Sequence, residues 1–107
     1  MRVELLWWEG CPSHPRALHD LRDALREEGE PADAVEVRHV GSDEEARRER
    51  FIGSPTIRID GEDVVPPTDD VPFSLNCRIY RLRDGRVSPV PDPEDVRETL
   101  RRIKERQ

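Results

Sequence analysis

Val3-Glu4-Leu5-Leu6-Trp7, running into Trp8-Glu9-Gly10-Cys11-Pro12-Ser13-His14-Pro15, is the stretch whose reading decides the fold. The first five residues form a short apolar run interrupted only by Glu4, the pattern of a mostly buried strand. The next eight carry two prolines and a glycine and read as a loop. Beyond them Ala17, Leu18, Leu21, Ala24 and Leu25 recur at three- and four-residue spacing, with Arg16, Asp20, Arg22, Asp23 and Arg26 between them. That is the apolar face of an amphipathic helix, which Gly29 and Pro31 end. A strand therefore feeds a helix through a loop that holds a cysteine.

The rest of the chain extends this unit. Val35 to Val40 alternates with β-branched residues and reads as a second strand. Ser42 and Glu45 form a capping box for a second helix reaching to about Phe51, with Gly53 as a stop. Residues 54–59 read as a third strand and Asp60-Gly61 as a tight turn. Residues 61–76 hold Pro66, Pro67 and Pro72 and look irregular. Residues 76–82 alternate and read as a fourth strand, with Cys77, Ile79 and Tyr80 as its informative positions. Asp92 caps a last helix that has Pro93 at its first position and Val96, Thr99, Leu100 and Ile103 on its face. The order is β-α-β-α-β-β-α: an α/β domain over residues 1–107, with a four-stranded mixed sheet, the first strand central, helices on both faces, early strands parallel and the last antiparallel.

Composition narrows the function. The chain has 107 residues, 18 Lys+Arg against 24 Asp+Glu, and a net charge of −6. An acidic balance disfavours nucleic acid as a partner. No run approaches the roughly 18 apolar residues of a membrane span, so no membrane partner and a cytoplasmic location are expected. The oligomeric state is not legible. There are two cysteines, Cys11 and Cys77, and in a reducing compartment a permanent bridge is not the default.

Glu9-Gly10-Cys11-Pro12, Gly53-Ser54-Pro55-Thr56-Ile57, Asp60-Gly61 and Cys77-Arg78-Ile79-Tyr80, on these elements, resemble the thioredoxin fold and, more narrowly, a group of small bacterial thioredoxin-like proteins. The resemblance implies a cis Pro55 beside a reactive Cys11. It also exposes a departure: Cys11-Pro12-Ser13-His14 is Cys-x-x-His where thioredoxins carry Cys-x-x-Cys, so the local resolving thiol is missing.

Two functions fit. One is a monothiol oxidoreductase or redox-active protein with Cys11 as nucleophile, exchanging with an external thiol or a protein disulfide. A helix N-terminus favours its thiolate, and His14, as imidazolium, can do the same. Trp8, Pro12, Ser54, Pro55 and Thr56 would form the substrate surface. On this reading Cys11 is partly exposed with a lowered pKa. The other is a non-catalytic module binding a soft metal ion (Hg, Cu or Zn) or a protein partner. Glu9, Cys11 and His14 are too few for a closed zinc site, so neither a resident metal nor a cofactor is expected. Pro15 leaves the helix start open, at His14 or one residue later. Cys77, at the start of an antiparallel fourth strand, would lie far from Pro55 and unbridged to Cys11, as a buried small residue. It becomes a resolving thiol only if residues 61–76 reroute the chain.

Overall fold

In a computed structural model describing residues 1–106, the elements are β1 (Val3–Trp7), α1 (His14–Glu27), β2 (Val35–His39), α2 (Asp43–Glu49), β3 (Thr56–Ile59), β4 (Glu62–Asp63), β5 (Tyr80–Arg81), β6 (Val87–Ser88) and α3 (Pro93–Glu105). The main sheet is mixed, in the order β2-β1-β3-β4, and β5 and β6 form a separate hairpin. This mixed α/β architecture, with three helices and a four-stranded sheet, is compatible with a thioredoxin-like fold.

The β1-α1-β2 unit is parallel as expected, with Leu5 opposite Val37. The third strand departs from the expectation: β3 runs antiparallel to β1, with Leu6 opposite Thr56. Helix α2 has only seven residues and rises about 10 Å. The chain therefore re-enters the sheet at the end it left, beside the C-terminus of β1. Ser42 Oγ accepts from the Glu45 N–H at 3.1 Å, the cap read in the sequence. The helix stops before Phe51, because Arg50 adopts the left-handed conformation (φ 55°). Replacing Ser42 by alanine is expected to cost about 1 kcal/mol in urea denaturation.

The second departure concerns the fourth strand. Asp60 (φ 50°) and Gly61 (φ 82°) form a two-residue turn of the kind that matches strand twist, so the chain doubles back at once and Glu62 pairs with Ile59. Residues 76–82, expected as the fourth strand, contribute instead Tyr80 and Arg81 to the small hairpin. The phase of their alternation is also reversed: Arg78 and Tyr80 face inward, while Cys77 is exposed and Ile79 is 75 % exposed. A shift of one residue exchanges the two faces of an extended segment.

Successive residues of β1 enter different cores. Val3 and Leu5 join Leu21, Leu25, Ile57, Ile59, Leu100 and Ile103 in the larger cluster. Leu6 joins Val40, Ala46 and Phe51 in the smaller. Glu4 is buried, and the Arg38 guanidinium donates to it at 2.7 Å. At the start of α3, Asp92 accepts from the N–H groups of Arg83 and Glu94, both at 2.9 Å. These bonds, that from Arg83 first, hold its carboxyl below the usual range. A carboxyl depressed on folding contributes above its unfolded value, about 3.9, and loses that contribution as pH falls through the folded value. Asp92→Ala is therefore expected to cost about 1 kcal/mol at neutral pH. The gap to wild type should narrow below about pH 4 in an acid series of denaturation curves.

Candidate functional site

Because β1 ends and β3 begins at one end of the sheet, the Cys11 loop and Ser54-Pro55 meet there. The Trp8 N–H donates to Ser54 Oγ at 3.0 Å, and the Cys11 N–H to the Trp8 carbonyl at 3.1 Å. The Ser54–Pro55 peptide is cis, as the resemblance implied. Helix α1 begins at His14, with Pro15 in its first turn and Ser13 before it, which decides the open question of the helix start.

Cys11 is bridged to Cys77, with a Cα–Cα distance of 5.5 Å. This overturns the expectation of an unbridged pair. It also overturns the expected partial exposure of Cys11, which is 1 % exposed, and the expected burial of Cys77, which is exposed. The physical cause is the rerouting of residues 61–76. With β4 in the antiparallel place beside β3, residues 74–78 run alongside 51–54. Ser74 N–H donates to Phe51 O at 2.9 Å, Ser54 N–H to Asn76 O at 2.8 Å, and Arg78 N–H to Ser54 O at 2.9 Å. Gly53 allows the approach, since a Cβ there would stand 2.9 Å from the Arg78 Cβ. Cys77 is thus brought to the cis-proline end of the sheet.

Arg78 anchors this segment. Its guanidinium donates to Asp63 Oδ2 at 2.7 Å, to the Val65 carbonyl at 2.5 Å and to Thr56 Oγ1 at 3.2 Å, and lies 4.6 Å from the Tyr80 ring centroid. Thr56 Oγ1 in turn donates to the Gly53 carbonyl at 2.7 Å, and the Tyr80 hydroxyl donates to the Pro55 carbonyl. Burial pushes the Tyr80 phenol well above its ordinary value, so it remains a donor. Tyr80→Phe leaves the buried Pro55 carbonyl without its donor and is expected to cost about 1–2 kcal/mol in urea denaturation. Arg78, Asp63 and Tyr80 were not singled out as site residues from the sequence. The only signal was their place in or near the motifs that carry the resemblance.

His14 is half-buried and stacks on Trp7, ring centroids 4.1 Å apart, while His39 meets the same indole at 4.7 Å. His39 also contacts Glu9, and this bond holds the Glu9 carboxyl below its ordinary range. Trp7 packs on the larger core and Trp8 on the smaller, both half-buried. Pro12 is exposed, whereas Ser54, Pro55 and Thr56 are buried. Among the described residues, no three His, Cys, Asp or Glu side chains are placed to hold a metal ion, and no helix is long and apolar enough to cross a membrane. A cavity of about 380 Å³ opens beside Cys77, lined by Ile52, Val65, Pro66, Pro67 and Ile79 among others. No protein-family model matches this chain, and neither a curated protein nor a solved structure does.

Proposed function

We propose that this is a thioredoxin-like thiol–disulfide redox protein, with α1 and α3 on one face of the sheet and α2 on the other, whose working centre is the Cys11–Cys77 pair. The observation that carries the reading is the bridge itself. Two cysteines 66 positions apart meet beside Pro55, just ahead of α1, with one of the two sulfurs on an exposed residue. The oxidoreductase expected from the sequence is kept, but its second sulfur is Cys77 rather than an external thiol. In a cytoplasmic setting, which the proposal includes, such bonds are characteristically transient and catalytic or redox-sensing.

The exchange converts the bridge and a partner dithiol into two protein thiols and a partner disulfide, two electrons passing to the protein; the reverse reaction oxidises the protein. His14, three residues after Cys11, stands at the start of α1 and stacks on Trp7. The non-catalytic alternative, a module for a soft metal or a protein partner, has no separate observation in its favour, and its metal form needs the bridge reduced to thiolates.

The test is equilibration in glutathione redox buffers, followed by alkylation and mass spectrometry. Cys11 and Cys77 are expected to titrate together, with a midpoint between about −300 and −120 mV. A pair still fully bridged at the most reducing ratio is a structural staple, and the redox reading fails.

A further inference from the structure

Resting on that reading, we propose that exchange at this centre has a fixed polarity: the incoming thiolate attacks Cys77 Sγ, and Cys11 is the leaving thiol. Thiol–disulfide exchange is governed by access to the attacked sulfur and by the quality of the leaving group. Access separates the two cysteines. Cys11 is 1 % exposed, enclosed by the turn closed at the Trp8 carbonyl. Cys77 is exposed and lines the cavity beside it, which gives the attacking sulfur room. The leaving group points the same way. Cys11 stands two residues before Ser13, the cap position of a 14-residue helix whose Ser13 side chain makes no capping bond. That end carries the positive end of the helix dipole, which favours a thiolate and opposes the cost of burying its charge.

In the first step a partner thiolate forms a bond to Cys77 Sγ, the Cys11–Cys77 bond breaks, and its electron pair leaves on Cys11 Sγ. In the second step another thiolate of the partner attacks the partner's own sulfur in the mixed disulfide. The electron pair leaves on Cys77, and the partner departs as a disulfide. In reverse, Cys77 attacks a partner disulfide and Cys11 resolves the mixed species. The residue in the sequence-local Cys-Pro-Ser-His motif is thus the resolving thiol, and the distant cysteine is the one that contacts the partner.

The test uses oxidised wild-type protein and 2-mercaptoethanol, quenched at early times with excess N-ethylmaleimide as the alkylating agent and peptide-mapped. The expected product carries mercaptoethanol on Cys77 and the alkyl group on Cys11, in at least about tenfold excess over the reverse species. The same reaction in denaturant should lose this selectivity. An even split in the folded protein, or mercaptoethanol on Cys11, overturns the polarity. Where the adduct resolves too fast to trap, mixed-disulfide formation with oxidised glutathione decides: Cys77 in Cys11→Ser should react at least about tenfold faster than Cys11 in Cys77→Ser, and equal rates overturn the proposal. Which sulfur mercaptoethanol attacks does not depend on the protein's potential. A Cys77 adduct together with a bridge that resists glutathione would therefore sink the redox function and leave the polarity standing.

Discussion

Cys77→Ser is expected to lower stability by about 4 kcal/mol, because the bridge it removes closes a loop between positions 66 residues apart. Cross-linking takes conformations away from the unfolded chain, and a loop of this length lies toward the upper part of the usual range. For a domain of this size the loss corresponds to a fall in melting temperature of at least about 15 °C. Cys77 is exposed, so serine in its place disturbs little packing. Full reduction of the wild type should reproduce the loss. Cys11→Ser should cost more, since it also places a hydroxyl at a position only 1 % exposed. Urea denaturation of the three species checks this, and a loss below about 1 kcal/mol for Cys77→Ser would mean that the bridge constrains little.

The second large effect lies at Arg78. Its side chain is 8 % exposed and that of its partner Asp63 13 %. Breaking a buried pair by removing one partner leaves an uncompensated charge and costs about 3–5 kcal/mol. Arg78→Ala is expected to reach that range, because it also strips the donors from the Val65 carbonyl and Thr56. Replacing the pair together, Arg78→Met with Asp63→Leu, should recover part of the loss, since apolar side chains can substitute for a buried pair. A double variant as unstable as the sum of the singles would show that the two residues act independently. Since Arg78 follows Cys77 directly and its backbone pairs with Ser54, the Arg78→Ala bridge should also be reduced faster by mercaptoethanol than the wild-type bridge.

How much of this molecule was legible depended on the range of the signal. The β1-α1-β2 unit was plain, because a short apolar run broken only by Glu4 and followed by a three- and four-residue repeat specifies a strand and a helix locally. The caps at Ser42 and Asp92 were plain too, since each side chain bonds an N–H group two or three residues away. The placing of Cys11 at the mouth of α1 followed from the same local order, whereas Pro55, read as part of a strand over residues 54–59, lies just ahead of β3, which starts at Thr56.

The partner of Cys11 was not legible, because Cys77 reaches it through a non-local choice. A two-residue strand, Glu62–Asp63, takes the sheet edge that the longer alternating run 76–82 was expected to fill. Alternation alone put Cys77 and Ile79 inward. In the folded chain Arg78 goes inward instead, because Asp63, Val65 and Thr56 supply acceptors for its guanidinium. A charged residue reads as exposed in sequence until its counter-charge is known, and that counter-charge lies 15 positions away. By itself the sequence determined the three helices, the first three strands in their order, and the cysteine loop. Only the tertiary structure decided which cysteine is exposed and that the two are joined, since burial of a charge and closure of a long loop depend on residues that meet only after folding.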